Sequence, residues 1–175
     1  MMEHKAFLFD YESFERELRP SLEDALATGD TSRLESFIST NLGALRDPYE
    51  GQPLLPDWAS LIEVHDAHQY GDFALTKYYR PTDDIGLGSD WERVHDLAAS
   101  SSRTESPILG ATVGPSDAPF DAGKMGSYFQ SPRSVRENYE YLLDLAKTTH
   151  SADLKKATEM LAEAARNNAG LYVTF

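Results

Sequence analysis

Residues 131–175 read SPRSVRENYEYLLDLAKTTHSADLKKATEMLAEAARNNAGLYVTF, and this stretch decides the fold class. Ser131 is placed to cap a helix, and Pro132 takes the first helical position, where its missing N–H costs nothing. Val135, Tyr139, Leu142, Leu143 and Ala146 follow at helical spacing and form one apolar stripe. Ser151 starts a second helix carrying Leu154, Ala157, Leu161, Ala164 and Ala165, with Gly170 as its stop. Leu171–Phe175 then reads as an edge strand.

The N-terminal half extends the helical reading. Lys5–Phe9 is a strand candidate. Phe14, Leu18, Leu22, Ala25 and Leu26 keep helical spacing, but Pro20 lacks a donor and clashes with the preceding turn. The spacing therefore predicts one helix ending near Leu18 and another from Pro20 to a stop at Gly29. Ser32 and Glu35 form a capping box for a helix presenting Leu34, Phe37, Ile38 and Leu42. Three prolines make Asp47–Pro56 a loop. Asp57 is read as the cap of a helix that buries Trp58, Leu61, Ile62 and His65 and ends at Gly71.

Between Gly71 and Ser131 the pattern weakens, and this segment holds seven of the eleven glycines. Phe73, Leu75, Lys77 and Tyr79 alternate as in a short strand, with a helical turn as the alternative. Ser89 and Glu92 make a second capping box for a helix through Ala98, with Trp91, Val94 and His95 inward. Ala99–Pro107 is a serine-rich linker, Ile108–Val113 a strand, and Gly114–Ser131 a loop. Long irregular segments inside a domain are often functional, so binding residues are sought here.

Length and composition bound the answer further. The 175 residues suit one domain, 1–175, and the 41% apolar content is that of a folded globular protein. No cysteine is present, which removes disulfides, thiolate catalysis and Cys-bound zinc. The apolar run Ala6–Phe9 is too short for a signal peptide, and no run approaches the ~20 residues of a membrane span. A soluble, cytoplasmic protein of bacterial type is expected. The net charge of −13 divides as −6 over residues 1–50, −6 over 51–106 and −1 over 107–175. Such a surface repels phosphate backbones, so nucleic acid is not an expected partner, whereas a basic protein is.

No motif carries a specific chemistry. His65 and His68 share a helix face at i and i+3, and with Asp72 they are the metal-ligand candidates, although the zincin spacing is absent. Asp83–Asp90 resembles a calcium loop in composition but lacks the alternating oxygen ligands, and reads as a glycine turn into the helix at Ser89. Lys124 sits between Gly123 and Gly126 in a loop suited to an anion. Met125 stands where a Walker loop needs Ser or Thr, and Ala118 where it needs Gly.

The expectation is a single, predominantly helical α+β domain with a small sheet of short strands, all-α being the alternative. It is expected to be a protein- or ligand-binding module without catalysis or cofactor, in its most specific form an acidic immunity-type inhibitor of a basic protein. Tyr78, Tyr79, Arg80, Asp83, Trp91, Lys124 and Tyr128, with Tyr70, are the candidate binding residues, because Tyr, Trp and Arg dominate interface energies. A metal- or anion-dependent hydrolase or transferase using His65/His68 or Lys124 is the alternative, and a homo-oligomer held by exposed aromatics the third reading.

Overall fold

The computed structural model describes residues 2–100 and 102–175. Met1, and Ser101 of the serine-rich linker, lie outside the described residues. The chain runs β1 (Lys5–Phe9), α1 (Tyr11–Glu17), α2 (Arg19–Thr28), α3 (Ser32–Thr40), α4 (Ala67–Leu75), α5 (Trp91–Ala98), β2 (Ser127–Gln130), α6 (Pro132–Ala146), α7 (Ala152–Arg166) and β3 (Gly170–Thr174). The three strands form one antiparallel sheet in the order β1-β3-β2. The sheet sets aside the all-α alternative.

Strand alternation divides the interior in two. Phe7, Phe9, Phe129 and Tyr172 project from one face and pack with Phe14, Leu18, Leu22, Leu34, Ile38 and Phe73 of the N-terminal helices. Ala6, Leu171 and Val173 project from the other and pack with Val94 of α5, Val135 and Leu142 of α6, and Leu154 and Leu161 of α7. The first face is an aromatic layer: Phe129 lies 5.1 Å from Tyr172 and 5.3 Å from Phe14, centroid to centroid.

Caps explain where most helices begin. Asp10, Asp66, Ser131 and Ser151 each accept the N–H of the third residue on, at 3.3, 2.9, 3.1 and 3.3 Å. Pro20 stands in the first turn of α2, and Gly29 closes it as expected.

Several sequence expectations are corrected. Neither capping box forms. Thr31 and Asp90 occupy the cap positions, and Asp30 rather than Ser32 supplies the side-chain acceptor, for the Ser32 N–H. Trp58–Leu61 makes one 3-10 turn, then Ile62 is extended and Asp66 nucleates a new helix. That helix runs through Gly71 because a Cβ there would stand 2.8 Å from both Leu22 and Phe120, so the glycine serves close packing. Phe73–Tyr79 is the end of α4 and a following turn, not a strand, with the Tyr78 N–H bonded to the Leu75 carbonyl. Of Ile108–Val113 a single residue, Ala111, bridges to Phe129. The supposed loop 114–131 contains β2.

The C-terminal strand is central rather than an edge. Gly170 opens it instead of stopping α7, since a Cβ there would meet the Gln130 carbonyl at 2.3 Å. The turn out of α7 is made by Asn168 at φ 50°. Because Phe129 touches Phe9, Phe14, Phe120 and Tyr172, Phe129→Ala should cost about 3–5 kcal/mol in urea unfolding. Leu143→Ala, on a residue 42% exposed, should cost less than about 1 kcal/mol.

Candidate functional site

Helix α4 is buried on all sides from Tyr70 to Leu75, and one of those residues is an aspartate. Asp72 is 6% exposed. It faces a cleft of about 360 Å³ at the end of the sheet where Lys5 and Thr174 pair. Phe7, Tyr79 and Tyr172 form its aromatic wall, with ring centroids 4.9 Å apart for Phe7–Tyr79 and 5.1 Å for Tyr79–Tyr172. Tyr49 stands at the mouth, 69% exposed. Ala122 and Gly123 also line it.

Burial pushes the Asp72 carboxyl up to about 7, Asp47 adds to the rise, and the Tyr49 hydroxyl partly offsets it by hydrogen bonding to the ionised form. Burial and the same carboxylate push Tyr49 up to about 12. The Tyr79 and Tyr172 hydroxyls are raised too, first by burial. All three phenols therefore stay protonated near neutral pH, while Asp72 is poised between its two forms. Among the described residues no Lys, Arg or His nitrogen lies within 4.0 Å of its carboxylate. A buried carboxylate without a paired cation is costly, and Lys5, the one basic residue lining the cleft, makes no ion pair with it.

The residues singled out in the sequence fall into separate places. Tyr78, Tyr79, Arg80 and Asp83 gather at a second, larger hollow of about 620 Å³ on the outer edge of β1. Tyr79 lines both cavities. Trp91 packs 4.8 Å from Phe175 and donates from Nε1 to the Met2 carbonyl at 3.2 Å. Tyr128 is partly buried on the second face of the sheet. Lys124 is exposed, with φ 58°, in the loop whose Gly123 borders the Asp72 cleft. Tyr70 is buried and its hydroxyl meets His65 Nδ1 at 2.8 Å.

Of the three metal-ligand candidates, Asp72 faces the cleft and the two histidines are engaged elsewhere. His65 bonds Tyr70, and His68 Nδ1 accepts the Asp121 N–H at 3.0 Å while stacking on Phe120. Among the described residues no three His, Asp or Glu side chains stand close enough to share a metal ion. Tyr49, Tyr172 and Lys5 were not foreseen as site residues. The signal that existed was Asp72 itself, a lone carboxylate inside the run Tyr70–Leu75.

No family model matches the chain, and neither a curated protein nor a solved structure is detectably similar to it. Among the described residues no helix is long and apolar enough to cross a membrane.

A stability profile tests the state of Asp72. Its folded pKa lies above the unfolded value of 3.8, so the folded form holds the proton more tightly. The stability this contributes is present below about pH 4 and lost as pH rises to about 7. Relative to Asp72→Asn, the parent chain should therefore lose on the order of 2–4 kcal/mol between pH 4 and pH 8 in urea titrations. A constant difference across that range would remove the perturbed carboxyl.

Proposed function

We propose that this protein is a binding module, acting without catalysis, that takes up a cationic group in the Asp72 cleft. One observation carries the reading: a nearly buried carboxylate opens into an aromatic-walled cleft and has no positive partner of its own. An alkylammonium or guanidinium group would supply the missing charge, accept the faces of Tyr79 and Tyr172 in cation–π contact, and remove the cost of ionising Asp72. The net charge of −13 draws such a ligand in from a distance. A basic protein partner presenting a lysine or arginine is the form that this charge favours, and an immunity-type inhibitor is its most specific version. The competing hydrolase or transferase reading has less support, because His65 and His68 are bonded within the fold and Lys124 stands in solvent.

Calorimetry with two probes tests the proposal: n-butylammonium chloride, and the tripeptide acetyl-Gly-Lys-Gly-amide. Saturable binding at pH 8 should weaken about tenfold at pH 6, as Asp72 takes up its proton below its value of about 7. Asp72→Asn should lose at least about tenfold in affinity. Tighter binding of the peptide identifies a protein side chain as the natural ligand; equal binding identifies a small amine. Absence of saturable binding to both probes, or unchanged affinity in Asp72→Asn, sinks the proposal.

A further inference from the structure

The exposed apolar side chains of this protein are grouped. Among the described residues seven large ones are exposed, and four of them, Tyr49, Leu55, Leu61 and Val64, fall within residues 49–64. Single exposed apolar residues need no account, whereas a contiguous group marks a contact surface. The local chain explains the grouping. Pro48, Pro53 and Pro56 keep the first part of this stretch from forming a regular element. Trp58 and Ile62 are buried and anchor it to the aromatic core. Leu61 and Val64, on either side of Ile62, are left 60% and 55% exposed. With Tyr49 and the buried Ile62 and Phe73, they line a groove of about 330 Å³.

Charge here is of one sign. Residues 47–76 contain six Asp or Glu and no Lys or Arg. Among the described residues, none of the six has a Lys, Arg or His nitrogen within 4.0 Å. The charged residues of the groove itself are Asp47 and Glu63. Asp47 accepts the N–H groups of Tyr49 and Glu50 at 2.7 and 3.0 Å, which fixes the turn without neutralising the carboxylate. Arg46, the nearest cation in sequence, donates to the Gly51 carbonyl at 3.2 Å and lines the hollow at the β1 edge instead. Tyr49 lines both this groove and the Asp72 cleft, and so joins them.

From this juxtaposition we infer that residues 49–64 form the docking surface for a basic protein partner. An apolar side chain of the partner sits in the groove between Tyr49, Leu61 and Val64, and a neighbouring lysine or arginine enters the Asp72 cleft; the placement of that cation rests on the cation-binding reading of Asp72. An apolar centre with a charged surround is the usual anatomy of a protein interface. Charge complementarity selects a basic occupant. A second copy of this chain, or an anionic lipid surface, would set like charge against like.

Calorimetry tests the surface with acetyl-Leu-Gly-Lys-Gly-Leu-amide, acetyl-Gly-Gly-Lys-Gly-Gly-amide and n-butylammonium chloride at pH 8. Two residues of extended chain reach about 7 Å, which lets a leucine cross Tyr49 while the lysine stays in the cleft. The leucine peptide should bind at least about tenfold tighter than the glycine peptide. In the double variant Leu61→Ser/Val64→Ser that advantage should fall below about twofold, with n-butylammonium affinity and Tm unchanged, because both side chains lie in solvent. Acetyl-Leu-Gly-Glu-Gly-Leu-amide should bind at least about tenfold more weakly than its lysine counterpart. Equal affinity for the leucine and glycine peptides, an advantage retained in the double variant, or equal binding of the glutamate peptide would each overturn the docking surface; n-butylammonium still bound in those cases leaves the Asp72 reading standing. A leucine advantage that depends on the groove, with no binding of n-butylammonium, overturns the Asp72 reading alone. A dimer in sedimentation that the double variant dissociates would overturn the basic partner in favour of a second copy.

Discussion

Five residues at the end of the described chain hold the molecule together. Gly170–Thr174 pairs with β1 on one side and β2 on the other, and its side chains alternate between two separate apolar clusters. A three-stranded sheet of this length has little stability alone. It persists because the N-terminal helices cover its aromatic face and α5–α7 cover its aliphatic face. Tyr172 and Val173, neighbours in sequence, thus belong to different cores. Moving the register by one residue would exchange the two sets and place Tyr172 in a space built for Val173. The strand is therefore specified twice over, by hydrogen bonds in the plane of the sheet and by side-chain volume above and below it.

Both cavities arise where this covering stops. Helix α4 lies over the aromatic face, but its cover ends before the last pair, Lys5 opposite Thr174. The Asp72 cleft occupies the space left between that end of the sheet, α4 and the Tyr49 loop. At the β1 edge the segment from Tyr78 to Ile85 covers every outward backbone position of the strand except Leu8. Tyr79 stands at the root of that segment and borders both spaces.

How much of this was legible in the sequence depended on how local the cause was. Helices with a 3.6-residue stripe were readable, and the starts at Ser131 and Ser151 agree with the structure because a side-chain cap is decided within four residues, although the equally local capping boxes at Ser32 and Ser89 did not form. The sheet was readable as to its existence but not its order, since β3 gains its central place from β1 and β2, segments more than 40 residues away. Helix α4 was misplaced for another reason. A helix buried on all sides has no polar face, so its apolar pattern gives no period to measure. The site suffered most. Tyr49, Asp72 and Tyr172 lie on a loop, a helix and a strand, and no spacing in the sequence relates them. Their meeting is a property of the sheet's end.

Asp72 is difficult to account for by stability alone. Its surroundings on α4 are Gly71 pressed by Leu22 and Phe120, then Phe73, Ala74 and Leu75 in the aromatic core. A leucine or asparagine at that position would fill similar space without the desolvation cost of a carboxylate, a cost large enough to lift its pKa to about 7. The cleft relieves part of it through Tyr49, yet the phenols of Tyr79 and Tyr172 remain neutral and supply no positive charge. Stability is best served here by an uncharged side chain, whereas recognition of a cation requires an ionisable one held against aromatic walls. The proposed cation-binding role would answer the second demand, and the first is met elsewhere, by the two cores that grip Gly170–Thr174 from both sides.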